Sequence, residues 1–379
     1  MTPWAMQDLR RDFAGLLPLC VAYFLASTFI LALPMWVGAI IGAHVADERV
    51  AGWLATLELG TVALSMLIAS RRQAFGSTAV HVAFALFAIG GYALSAFVPS
   101  LWLLGVLRVV AGAGFGWLLA ATLAAAAGRD NPTKTFGIME IGLALYACVF
   151  YAIVGHAIEA GGMRGCFLAM AACLILCLPA VRALRAGGNE KLPQRARRPV
   201  RPADIAGVAA HFLFFVAMYS VWTFLAHKGE IIGVNAQGLG SLLSIAFVAG
   251  LVGAALTMLA IPMFGRRIVI PGGLIFLASA MMLLGRVDGP AGFYVAVVLI
   301  KAGFLFYTVS MNGHFAASDP TGRLNTIGLA MAMIGSSVGP AIGGYGLTIL
   351  GFDGLTVIVA LAWLLVAILA FLATRSLSR

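Results

Sequence analysis

Twelve apolar stretches divide this 379-residue chain, and its basic residues gather in every second gap between them. One set of gaps, taken with the two ends, holds 18 of the 24 Lys and Arg residues, among them Arg10, Arg11, Arg71, Arg129, Lys134, Arg266 and Arg323. The other set holds only Arg49, Arg164, Lys228 and Arg286, and the last two cations, Arg108 and Lys301, lie inside apolar stretches. Basic residues are retained on the cytoplasmic side during insertion. The alternation therefore predicts an all-α, multi-pass protein of the inner (cytoplasmic) membrane, with both termini in the cytoplasm. The spans fall at roughly 14–40, 50–70, 77–98, 100–127, 135–158, 164–184, 205–226, 238–262, 268–286, 290–313, 325–350 and 354–374, each long enough to cross about 30 Å of hydrocarbon as a helix.

Composition narrows the class further. The chain is 62% hydrophobic and 10% charged, with a mean hydropathy of +1.03; a soluble domain carries about 25% charged residues. No apolar-out, polar-in alternation suggests an outer-membrane barrel. The net charge of +10 is spread through alternate loops, which topology explains and a nucleic-acid partner does not. Cys20, Cys148, Cys166, Cys173 and Cys177 lie in or beside apolar stretches without a ligand set, so they read as small buried hydrophobes. After Arg10 and Arg11 the first apolar run continues with no cleavage site and reads as a retained helix.

Residues 185–204 break the pattern. Gly187, Gly188, Pro193, Pro199 and Pro202 stand among charges there, too polar for lipid and too rich in breakers for a strong helix. They read as a cytoplasmic linker between two halves, 1–184 and 205–379. The halves echo each other: Ser70-Arg71-Arg72 against Gly265-Arg266-Arg267 after the second helix, and Arg108 against Lys301 in the fourth. Counted from the outer helix ends, these two cations lie about 12 to 17 Å deep at a rise of about 1.5 Å per residue. The expectation is twelve transmembrane helices in two pseudo-symmetric six-helix bundles, with a site between them near the midplane.

Three motifs carry a resemblance that spans the chain. They are Arg108-Val-Val-Ala-Gly112-Ala-Gly114-Phe-Gly116 in the fourth helix, Phe264-Gly265-Arg266-Arg267 in a basic loop, and Gly335-Ser-Ser-Val-Gly339-Pro340-Ala-Ile-Gly343-Gly344 in the eleventh helix. With the basic central loop they resemble the major facilitator superfamily. That resemblance implies a secondary transporter, monomeric and free of cofactors, in which rocking halves expose one central site alternately. It gives Gly112, Gly114, Gly116, Gly265, Arg266, Arg267, Gly335, Gly339, Pro340, Gly343 and Gly344 conformational and gating roles, and it sets Lys301 opposite Arg108 across a central cavity. Two departures matter. The loop Ser70–Gly76 lacks the family's aspartate, with Pro262 at the matching place in the second half, and the fifth helix has no Gly-Pro element. The second departure tilts the reading towards uptake.

Ionisable residues inside a span cost about 2.5–3.5 kcal/mol each when central and persist where they face a cavity or a partner. Glu58, level with Arg108, is expected to be the proton-coupling carboxylate, with Arg108 its partner in one state. Lys301 heads a stripe with Phe304, Thr308 and Asn312, and two cations in a low-dielectric cavity attract an anion. Tyr219 and Trp222, beside His211 and Phe215 on the seventh span, add rings with polar tips; Tyr23 and Ser27 share a face of the first. The substrate-binding set is thus Arg108, Lys301, Tyr23, Ser27, Tyr219, Trp222, Phe304, Thr308 and Asn312. Glu140, near the cytoplasmic end of its span, is expected to pair with Lys134 or a basic loop. No phosphate-binding loop, HExxH or nucleophile elbow supports an ATP-driven pump, a metal site or an enzyme.

These features predict proton symport of a small organic anion, a monocarboxylate or an aromatic acid. Two alternatives stay open: proton-coupled export of an amphipathic compound, and a non-transporting sensor built on the same fold. Lys301 paired with Glu58 across the halves would instead leave a neutral substrate.

Overall fold

The computed structural model describes residues 3–71, 77–98, 100–184, 199–319 and 322–375. Residues 72–76 of the first basic loop and 185–198 of the central linker lie outside them, and so do the expectations that rest on those segments.

In chain order the helices are α1 (Pro3–Gly42), α2 (Glu48–Arg71), α3 (Thr78–Ser95), α4 (Leu101–Ala127) and α5 (Pro132–Cys177), which runs into a 3-10 turn at Leu178–Ala183. There follow α6 (Pro202–Trp222), α7 (Leu225–Ile231), α8 (Ala236–Phe264), α9 (Arg266–Arg286), α10 (Pro290–Ser318) and α11 (Arg323–Thr374). Their ends are written locally. Pro132, Pro202 and Pro290 occupy the first turn, where a missing N–H costs nothing. Asn131 and Asn235 cap their helices by accepting from Lys134 N at 3.0 Å and Gly238 N at 2.9 Å. Gly265, at φ 74°, stops α8 and lets α9 begin one residue later.

Among the described residues, ten helices are long and apolar enough to cross a membrane. The expected twelve separate helices in two six-helix bundles are corrected on this point. The apolar stretches 135–158 and 164–184 share one element of 46 residues, and 325–350 and 354–374 share another of 52. Each is interrupted only by one glycine with non-helical torsions: Gly162 (φ 55°, ψ −138°) in α5 and Gly351 (φ 67°, ψ 178°) in α11. A side chain at either φ would be strained, so one residue does what a loop was expected to do.

The packing also runs across the expected boundary. α11 lies against α6 and α9 but equally against α2, while α5 lies against α1 and also against α8. Gly335, Gly339 and Gly343, spaced four apart on α11, face the backbone carbonyls of Phe212, Val216 and Ser220 on α6. Any Cβ there would occupy carbonyl space, and only glycine permits the contact. The adjacent face, one residue on, meets α2, where Gly344 approaches the Glu48 carbonyl and Gly52 the Pro340 carbonyl. Pro340 removes a donor from α11, and the next N–H, of Ala341, goes to Thr56 Oγ1 on α2 at 3.1 Å.

These cross-contacts cluster at the end of the molecule away from the termini. There Gly155 meets Ala236, and Gly240 meets the Tyr151 carbonyl. Glu48 on α2 pairs with His227 on α7 at 3.3 Å, and Lys228 on α7 with Asp353 on α11 at 3.5 Å. The Arg49 guanidinium sits 5.6 Å from the centre of the Tyr345 ring. Apolar side chains such as Leu145, Leu259, Ile349 and Leu361 point outward, as a lipid-facing surface requires.

Candidate functional site

Two buried cations, set in different surroundings, organise the interior. Arg108 on α4 is fully buried, and both of its terminal nitrogens are engaged, while its Nε has no hydrogen-bond partner among the described residues. Its Nη1 donates to Glu58 Oε2 on α2 at 3.1 Å, and its Nη2 to the Gly91 carbonyl at 2.9 Å and to Ser95 Oγ at 2.6 Å on α3. The rings of Tyr92, Phe167 and Trp36 surround the guanidinium at 4.5, 5.0 and 5.3 Å. Tyr92 also donates to the second Glu58 oxygen at 2.8 Å, so that carboxylate, 1% exposed, has a partner on each side. The planar guanidinium can serve an ion pair and an aromatic chamber together, which the spherical ammonium of a lysine cannot. Gly112 and Gly116 on α4 make the geometry possible by fitting against the carbonyls of Glu58 and Val62; Gly114 fits against that of Phe84 on α3.

Lys301 on α10 is buried too, but among the described residues nothing neutralises it at close range. Its ammonium lies 3.8 Å from the ring centre of Phe247 on α8, 4.8 Å from Trp222 on α6 and 5.1 Å from Phe304 one turn along α10. Among the described residues no carboxylate comes within 4.0 Å of it. Aromatic faces offset part of the desolvation of an ammonium without consuming its charge. The aromatic wall continues: Phe304 packs on Phe215 at 5.6 Å, and Phe215 stacks on Tyr219 at 6.3 Å. Thr308 and Asn312, further along α10, are half-buried, with the Thr308 hydroxyl bonded back to the Phe304 carbonyl at 2.7 Å. His211 is enclosed by Phe215, Phe315 and Tyr307.

The third charge is Glu140 on α5. Tyr23 on α1 donates to its Oε1 at 2.7 Å, and Lys301 lies within Coulombic reach. Glu140 retains solvent-accessible surface although packed atoms surround it, whereas Tyr23 and Ser27 beside it are buried. The expected pairing of Glu140 with Lys134 or a loop is replaced by this contact between α1 and α5. Phe24 supports it by stacking on Tyr146 at 5.2 Å, and Thr28 by a 3.2 Å hydrogen bond with the Tyr146 hydroxyl.

The geometry thus groups Lys301, Trp222, Phe304 and Tyr219 in one wall and Tyr23 and Ser27 in another, with Glu140 between. Glu58 and Arg108 form a separate sealed pair. Phe247 and Glu140 are the contributors that sequence reasoning did not select. Phe247 carries no signal in an apolar helix. Glu140 did carry one, a carboxylate inside a span, but its partner lies 117 residues away. Two cavities lie elsewhere: one of about 510 Å³ between α1, α5, α7 and α8, bordered by Gly38, Glu230 and Asn235, and one of about 320 Å³ between α6 and α11, bordered by Asp204, Phe212 and Arg323.

A family model for the Major Facilitator Superfamily matches residues 16–317. The chain belongs to that superfamily. Solved structures agree on the fold. A bacterial homologue of the human lysosomal transporter Spinster, captured inward-facing and unoccupied, is 14% identical with a TM-score of 0.77, covering 96% of this chain and 97% of the other. The nucleoside transporter NupG is 13% identical with a TM-score of 0.71, at 95% and 98% coverage. The human organic anion transporter MFSD10 is 12% identical with a TM-score of 0.63, at 95% and 99% coverage. A comparison with curated proteins finds no match. Membership makes this chain a multi-pass membrane protein and a secondary transporter of a small molecule, not an enzyme.

Proposed function

We propose that this transporter carries a small organic anion, a monocarboxylate or an aromatic acid, together with a proton. The observation that carries the reading is Lys301: a buried ammonium held by three aromatic rings, with no carboxylate within 4.0 Å among the described residues. Such a group has its charge available for a ligand. A carboxylate can take the open side of the ammonium while an apolar or aromatic body packs on Phe304, Phe215 and Tyr219. Arg108 contributes in this reading by holding α2, α3 and α4 together around Glu58, and it turns towards substrate only if the helices rearrange. The close contacts of α11 with α2, through Gly344 and Gly52, are where such a movement would part the chain, and the basic loop Gly265-Arg266-Arg267 lies at the opposite end. The excess of basic residues on one side supports cytoplasmic termini in an inner membrane. The unit of transport in this reading is the monomer.

The test is counterflow in proteoliposomes of purified protein, with radiolabelled lactate and benzoate beside uncharged and cationic analogues of the same size. The reading expects exchange of the carboxylates, accelerated by an inward proton gradient. Exchange of neutral or cationic analogues alone would favour export of an amphipathic compound. Absence of exchange with every class would favour a sensor.

A further inference from the structure

We infer that Glu140, held by Tyr23, is the proton-carrying group, and that it competes with the transported anion for Lys301. This rests on the anion reading of Lys301 for its second half only. Four observations lead to it. Lys301 on α10 lies within Coulombic reach of Glu140 on α5, and Tyr23 on α1 fixes the Glu140 carboxylate by its 2.7 Å hydrogen bond. Glu140 retains accessible surface, while Glu58 is sealed at 1% exposure. One Glu140 oxygen accepts from Tyr23 at 2.7 Å, and among the described residues the other has no hydrogen-bond partner. Lys301 has no carboxylate in contact, so its nearest charge balance is Glu140 or a ligand.

Among the described residues, the electrostatic neighbours of Glu140 are few, and Arg182 on the 3-10 turn packed against α5 is not among them. The groups that face Glu140 are Tyr23 on α1 and Lys301 on α10. Of the other helices packed on α5, α8 contains no charged residue, α3 contributes Tyr92 bound to Glu58 and His81 near Leu184, and α4 contributes Arg108 bound to Glu58.

The cycle balances. In the empty carrier the Glu140 carboxylate and the Lys301 ammonium offset each other through their Coulombic interaction. A proton from water adds to Glu140, which becomes neutral and no longer competes for the ammonium. The substrate carboxylate then takes Lys301, and the loaded carrier has the same net charge as the empty one. After the carrier reorients, the anion leaves, Glu140 returns its proton to water on the far side, and the pair is restored. One anion and one proton move together, with no net charge.

Two measurements test this independently. In the first, wild type, Glu140→Gln and Glu58→Gln in liposomes are treated with a membrane-permeable carbodiimide, which adds only to protonated carboxyls, and the modified peptides are located by mass spectrometry. The expected result is labelling at Glu140 that increases as the pH falls, with Glu58 unlabelled. Labelling of Glu58 in place of Glu140 overturns the assignment, and no ligand is needed to see it. In the second, labelled benzoate and lactate are followed in the same vesicles. Glu140→Gln, which preserves the acceptor for Tyr23, is expected to retain counterflow but to lose more than tenfold of the accumulation driven by a proton gradient. Wild-type accumulation in Glu140→Gln overturns the inference. Labelling at Glu140 without carboxylate exchange in wild type would instead refute the anion reading and leave the proton-carrying role intact.

Discussion

The Tyr23 hydroxyl and the Glu140 carboxylate meet at 2.7 Å between α1 and α5, within Coulombic reach of Lys301, which has no carboxylate within 4.0 Å among the described residues. Arg108 and Glu58 stand in contrast at 3.1 Å, closed off by Tyr92, Trp36 and Phe167. The molecule thus carries one ion pair built to stay and one pair of opposite charges kept apart.

The sealed pair should be structural. Removing one partner leaves a buried charge uncompensated, at a cost of about 3–5 kcal/mol. Arg108→Ala is therefore expected to lower the thermal midpoint of the detergent-solubilised protein severely. Glu58→Gln with Arg108→Met, which removes both charges and retains bulk, should recover much of the loss. An unchanged midpoint in Arg108→Ala would contradict the role.

The aromatic rings around Lys301 should act on affinity more than on folding. Phe247→Leu maintains apolar volume and removes the closest ring face, worth about 0.5–2 kcal/mol when desolvated. Carboxylate KM is expected to rise several-fold, measured in proteoliposomes, with the thermal midpoint nearly unchanged.

Close approach of α11 to α6 admits no side chain at Gly343, where a Cβ would run into the Ser220 carbonyl. Gly343→Val should cost at least the roughly 1–3 kcal/mol of an overpacked core. Differential scanning fluorimetry of the purified variant reads this directly. Gly313→Ala on α10, where a Cβ has open space, is the neutral control.

At the end away from the termini, the Glu48–His227 and Lys228–Asp353 pairs join α2, α7 and α11 at partly exposed positions. Pairs of this kind contribute about 0.2–1 kcal/mol each. Glu48→Gln with Lys228→Met should therefore shift the open population by a few-fold at most. Labelling of Ala226→Cys by an impermeant maleimide added on that side should increase to match, since Ala226 packs on Gly38 when this end is closed.

How far the sequence reaches can be seen in particular residues. The apolar character of the helices, the common level of Glu58 and Arg108, and the buried cation at Lys301 are legible because charge and apolarity alone decide them. Sequence counting gives depth along a helix but not rotation about it, so it put Glu58 level with Arg108 without revealing that both face a sealed chamber. Glu140 was underestimated for the same reason: its partner Tyr23 is brought near only by the packing of α1 on α5. The helix count failed at Gly162 and Gly351, where composition suggests a loop but a single residue at positive φ suffices. The glycine stripe on α11 was legible as a site of close approach, while its partner, α6, was not.

The central claim is that the Lys301 ammonium holds the anionic group of the substrate. Its most direct test is counterflow of labelled benzoate and lactate by wild type, Lys301→Ala and Lys301→Arg in the same liposome preparation, with thermal midpoints measured alongside. The account predicts that the alanine variant folds but loses carboxylate exchange by at least tenfold, and that arginine, which retains the charge, recovers part of it. Equal carboxylate exchange by Lys301→Ala and wild type would contradict it.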